Sequence, residues 1–218
     1  GQSPFKMSLL QDGDIWYMYT SNLFHRGWGI LDVTDPMDPK VVKFIEGPEN
    51  TGTWQVDIAD GLMIASQDAL PAVWGGDPEV PHAPEAVLIW SLEDPLNPRQ
   101  IGSFTTGGGT HRNGYFGGPY MHLAANHPDY RGEMYMLVDI NDPERPVEAG
   151  RYQPGGLLVS DPEPYDRARL HGPADVRGDL AFLPFGGAGF IIADISDPAN
   201  IEEIGRLDFS PPFGPTHL

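Results

Sequence analysis

Residues 136–152, MLVDINDPERPVEAGRY, hold an apolar run, an acidic-Pro turn and a second run entered through polar residues. Three other stretches repeat that order: GILDVTDPMDPKVVKF at 29–44, LIWSLEDPLNPRQIGSF at 88–104 and FIIADISDPANIEEIGRL at 190–207. Their Asp-Pro pairs begin at Asp35, Asp94, Asp142 and Asp197, at spacings of 59, 48 and 55 residues. Such a period suits a four-stranded sheet and is too long for a leucine-rich or ankyrin unit. Asp before Pro favours a turn, because the carboxylate accepts from nearby backbone N–H groups and Pro fixes φ. A second Pro, at Pro39, Pro98 and Pro146, precedes the outgoing run, where a missing N–H is tolerated at a sheet edge. The fourth copy departs from this with Ala199-Asn200-Ile201.

Each motif is preceded by a hairpin pattern, two alternating runs around a turn. The runs are KMSLLQ and IWYMYT around Asp12-Gly13, and TWQVDIA and LMIAS around Asp60-Gly61. In the second half they are HRNGYF and YMHLAA around Gly117-Gly118, and HGPADV and LAFLPF around Arg177-Gly178-Asp179. That makes four strands per unit, with the Asp-Pro motif joining the third to the fourth. No stretch has helical periodicity. The expected fold is all-β, a β-propeller with blades at about 5–50, 53–106, 110–153 and 170–209.

The strings LDVTDP, LVDINDP and IADISDP resemble the LVIVD repeat of bacterial and archaeal β-propellers, while IWSLEDP departs through Trp90-Ser91. The resemblance spans nearly the whole chain and is specific for architecture. It implies a periplasmic or extracellular setting and leaves the chemistry open, because propellers host many functions. Four blades leave sheet edges open, and a further first strand is expected to begin at 215–218. The ring is therefore expected to be seven- or eight-bladed, closed by the remainder of the propeller or by a second copy of the chain.

Composition narrows the partners. The 31 acidic against 13 basic residues give a net charge of −18, which repels phosphate backbones and anionic membrane surfaces. Nucleic acid and membrane insertion are thus not expected. Gly and Pro, 27 and 23 residues, sit at spaced turns in the manner of an all-β chain. The lack of cysteine removes disulfides, thiolate ligands and cysteine nucleophiles. No P-loop, dinucleotide fingerprint or GxSxG elbow is present, so no nucleotide cofactor is expected.

The histidines carry the chemical signal. His111, His171 and His217 fall where first strands begin, while His25, His82 and His127 fall between second and third strands. Three convergent imidazoles suit a divalent transition metal such as zinc, iron, copper or manganese, with a position left for water or substrate. The same placement also arises if imidazoles merely hold turns in a repeat. Phe5 or Lys6 and Trp54 stand at the comparable position of the first two units, which argues for a dedicated site. Arg112 and Asp175 are candidate catalytic groups beside these ligands. Asn113, with Trp74, Tyr165, Arg167 and Arg169 of the long loops at 68–85 and 153–169, are candidate substrate contacts. The function expected is metal-assisted hydrolysis, hydration or elimination on a small organic substrate, that is, a metal-dependent hydrolase or lyase. The alternative is a non-catalytic exported or cell-surface scaffold binding a peptide, glycan or partner protein.

Overall fold

The computed structural model describes residues 4–82, 84, 86–163 and 167–209. These form four antiparallel four-stranded sheets, each in simple up-and-down order, and fall into two compact units of two sheets. Among the described residues the only helical elements are two short 3-10 turns, Ala72–Trp74 and Pro198–Asn200. No described helix is long and apolar enough to cross a membrane.

The first unit holds β1 (Pro4–Asp12), β2 (Ile15–Asn22), β3 (Gly27–Asp32) and β4 (Lys40–Glu46), then β5 (Thr51–Ala59), β6 (Leu62–Ala69), β7 (Ala86–Ser91) and β8 (Arg99–Phe104). The second holds β9 (Thr110–Gly114), β10 (Tyr120–Ala125), β11 (Met134–Asp139) and β12 (Val147–Tyr152), then β13 (Asp175–Arg177), β14 (Leu180–Pro184), β15 (Phe190–Asp194) and β16 (Glu202–Leu207).

The repeated motif forms the hairpin between third and fourth strands, and it contains two side-chain-capped turns in succession. Asp32 Oδ1 accepts from Thr34 N (2.9 Å) and Asp35 Oδ1 from Met37 N (2.9 Å). Asp139 and Asp142 do the same for Asn141 N and Glu144 N, and Asp194 and Asp197 for Ser196 N and Ala199 N. These bonds hold the Asp32 and Asp194 carboxyls below the usual carboxylate range. In the second sheet Ser91 Oγ takes the role of the first Asp, accepting from Glu93 N at 3.3 Å. The departure in the IWSLEDP string thus keeps the turn and changes only the acceptor. Beyond each turn the outer ladder slips by one residue, between Ile30/Leu31, Ile89/Trp90, Leu137/Val138 and Ile192/Ala193. The same bulge in all four fourth strands twists each edge in the same way.

Within each unit one sheet packs on the next. Tyr17, Tyr19 and Ile30 pack with Val56, Met63 and Leu92 in the first. Ala124, Tyr135 and Leu137 pack with Leu183, Phe185, Ile191 and Ala193 in the second. Polar tips are satisfied across these seams. Tyr19 is fully buried and its hydroxyl donates to the Pro95 carbonyl at 2.6 Å, seventy-six residues away. In the second unit a Cβ on Gly150 of β12 would meet the Pro198 carbonyl at 1.7 Å, so only glycine lets the last Asp-Pro turn sit this close.

Tyr19→Phe keeps the ring and removes the bond that pins the second sheet's turn. It is expected to lower stability by about 1 kcal/mol, or roughly 2–4 °C in Tm, measured by thermal unfolding followed by circular dichroism. An unchanged Tm would show that the Pro95 carbonyl is equally satisfied by water.

Candidate functional site

Three first strands share an irregularity at their start. In β9, Thr110 pairs with Ala125 and Arg112 with Ala124, so His111 is the extra residue of a β-bulge. In β1 the register passes from Pro4 to Lys6 and leaves out Phe5; in β5 it passes from Thr53 to Val56 around Trp54 and Gln55. Phe5, Trp54 and His111 are therefore equivalent positions, which a bulge turns away from the regular ladder. The fourth sheet differs, because β13 begins only at Asp175 and His171 stands in the extended link before it. Buried Leu170, whose N–H donates to the Glu133 carbonyl at 2.8 Å, anchors that link.

This geometry brings His111 and His171 together. Their Nε2 atoms are 3.2 Å apart, with ring centroids at 4.8 Å and planes inclined by 40°. In a direct hydrogen bond between them one Nε2 donates and the other accepts. Two imidazoles on a tetrahedral ion, at metal–nitrogen distances of about 2.0–2.1 Å, hold their nitrogens about 3.3 Å apart. The pair thus has a spacing suited to either a proton or a metal ion. No set of three or more His, Cys, Asp or Glu side chains is assembled around a common point among the described residues. His217, expected as the third ligand, lies outside the described residues.

Arg112 follows His111 and is buried, and burial pulls its guanidinium below the ordinary arginine value. Asn113, within β9, is buried. Asp175 opens β13 and accepts from Arg177 at 3.1 Å. Arg169 reaches the buried Glu133 carboxylate at 3.8 Å, and Arg167 is exposed with a left-handed backbone, φ 59°. Tyr165 lies outside the described residues. Trp74 belongs to the other unit, where it stacks edge-on to Trp54 at 5.1 Å while Phe5 meets Trp54 at 6.0 Å. Asn50 holds the 68–85 loop there, accepting from Asp77 N and donating to the Asp77 and Val80 carbonyls. A cleft of about 390 Å³ beside it is lined by His25, Arg26, Glu49 and Asn50.

One polar pair was not legible as such in the sequence. His122 and Tyr135, on adjacent strands β10 and β11, join through Nδ1 and the phenol at 2.7 Å. Burial pushes the Tyr135 phenol up and holds the His122 imidazole down at about 4. The phenol keeps its proton and donates to Nδ1 of a neutral ring. The only sequence signal was a histidine inside an apolar strand, opposite a tyrosine two rungs from its own partner.

The folded state keeps His122 neutral until about pH 4, whereas the unfolded chain binds a proton from about pH 6.5 downward. Stability from this group is therefore complete above about pH 6.5 and is lost as pH falls toward 4. Between about pH 7.5 and about pH 5 the loss amounts to about 2 kcal/mol. His122→Gln, which retains a hydrogen-bonding group for Tyr135, is expected to flatten that interval by this amount in urea unfolding. Equal pH slopes for the two proteins would contradict it.

Residues 174–208, the fourth sheet, match the family model for the LVIVD repeat, so the chain carries that repeat. No curated protein sequence matches significantly. Solved structures of similar fold include a protein from Lactobacillus plantarum at TM-score 0.63 and 10% identity, covering 94% of this chain and 57% of the other. The periplasmic gluconolactonase PpgL of Pseudomonas aeruginosa gives 0.58 and 8%, covering 94% and 58%. The exo-β-1,3-galactanase of Phanerochaete chrysosporium gives 0.55 and 10%, covering 94% and 50%. At such identities the likeness concerns the fold, which is that of propeller proteins. The chain spans 50–58% of the length of these structures.

Proposed function

We propose that this chain is part of a propeller hydrolase that acts on a small organic substrate at the His111–His171 pair. The observation that carries the reading is the 3.2 Å approach of two Nε2 atoms from residues sixty apart in sequence. Both imidazoles stand outside the regular strand ladder, one on a bulge and one in a link, where backbone pairing alone does not dictate their direction. Fold-level likeness to a gluconolactonase and a galactanase supports a hydrolytic chemistry over hydration or elimination.

His111 and His171 would hold a divalent transition metal through Nε2, with His217 as the third ligand. When bound, such an ion supplies a polarised substrate oxygen and a water acidic enough to attack near neutral pH. The chain's own part is to fix the two nitrogens at the correct bite; the buried guanidinium of Arg112, the residue after His111, would favour negative charge developing on a substrate oxygen. Asp175, tied to Arg177, is not carried into this reading. Arg167, exposed ahead of the link, is carried into this reading as a substrate contact. An exported setting goes with this function.

A second reading has its own observation. The aromatic group of Phe5 and Trp54, on first strands of the other unit, with Trp74 of the 68–85 loop suits a scaffold that stacks on a glycan or peptide.

Elemental analysis of the unchelated protein separates the two. Near-stoichiometric zinc, iron, copper or manganese is expected, lost when His111, His171 and His217 are all changed to Ala while the melting profile stays cooperative. Metal absent from both proteins, or retained by the variant, would sink the metal site and leave the scaffold reading.

A further inference from the structure

At the other end of the same sheets from the histidine pair, the second unit contains a recess of about 230 Å³. It lies by the turn at Gly117-Gly118 and the last Asp-Pro turn, and its lining includes Phe116, Tyr120, His122, Val176, Asp179 and Ser196. A recess of this size suits one small ring and not a chain of them.

Three of these groups have defined chemistry. His122 is nine-tenths buried and uses Nδ1 to accept from Tyr135, so Nε2–H is the donor it has left to present to the recess. Asp179 supplies a carboxylate with no hydrogen bond from any described side chain, its backbone carbonyl alone being taken, by Ile195 N. Phe116 supplies an exposed ring 5.8 Å from the imidazole. That ring is seated over Gly114, the residue paired with His122, where a Cβ would stand 3.2 Å from it. The missing side chain at Gly114 is what lets an aromatic face lie beside the histidine.

The combination selects its ligand. Anions, phosphate included, are opposed by Asp179 and by a neutral imidazole that adds no charge. A metal ion would need the Nε2 lone pair, which the Tyr135 hydrogen bond leaves protonated. A neutral cyclic polyol fits all three groups. Its hydroxyls accept from Nε2–H and donate to the carboxylate, and its C–H face covers the phenyl ring.

We propose that the recess formed by Phe116, His122 and Asp179 is a binding site for a single neutral monosaccharide ring, separate from the histidine pair. The site needs no metal and stands whether or not His111 and His171 are catalytic.

The test uses the whole chain with D-glucose, D-galactose and D-xylose added singly at millimolar concentrations, following the His122 ring protons by NMR. At least one sugar is expected to shift them saturably. Asp179→Ala and Phe116→Ala, both at exposed or turn positions, are expected to weaken that binding about tenfold or more, equivalent to about 1.4 kcal/mol. The triple change at His111, His171 and His217 is expected to leave it unaltered. No saturable shift with any of the three sugars would overturn the proposal. So would a shift of equal affinity in the Asp179 and Phe116 variants, or saturable displacement by sodium phosphate.

Discussion

The structure depends on one constraint: a four-stranded sheet of this composition cannot stand alone. The middle strands are apolar on both faces. Met63, Ile64 and Ala65 of β6 are all buried, as are Met134, Tyr135, Met136, Leu137 and Val138 of β11. Residues on opposite faces of one strand are buried together only if something covers each face. Within each unit the neighbouring sheet provides one cover, and the seam it makes has to absorb polar groups as well as apolar ones. Tyr19 shows how, with its ring in the core and its hydroxyl on a turn carbonyl of the next sheet. Gly150 shows the same seam from the other side, where a carbonyl comes too close for any side chain.

Given that stacking, the ends of the sheets become the variable part. The turn end is built from repeated aspartates whose carboxylates cap backbone N–H groups, and it is nearly the same in every copy. The opposite end carries the bulged first strands and the long loops, and there the residue differs from sheet to sheet: Phe5, Trp54, His111. A bulge leaves its extra residue unpaired, so changing that side chain does not disturb the ladder. An aromatic platform in one unit and an imidazole pair in the other can therefore occupy the same structural position.

The buried imidazoles show how context assigns roles. His122 is enclosed, bonded to a phenol and held neutral, whereas His111 and His171 are half-buried and face each other. The same residue type thus stands enclosed against a phenol at one end of the sheets and as a facing pair of rings at the other. Of the other candidates from the sequence, Asn113 is buried, Arg169 approaches Glu133 and Asp175 accepts from Arg177.

The sequence by itself determined the four sheets and their hairpins, because those rest on local chemistry. An aspartate capping an N–H two residues on, a Pro at the strand entry and period-two alternation are all written within a few residues of each other. It also determined that histidines stand near the start of the third and fourth units. Only the tertiary structure decided that two of them meet nitrogen to nitrogen, that His111 leaves the ladder through a bulge, and that His122 and Phe116 border a recess beside Asp179. The imidazole pair and the meeting of His122 with Asp179 are relations between residues more than fifty positions apart, set by how one sheet lies on the next. A distance of this kind comes from packing, and no spacing along the chain encodes it.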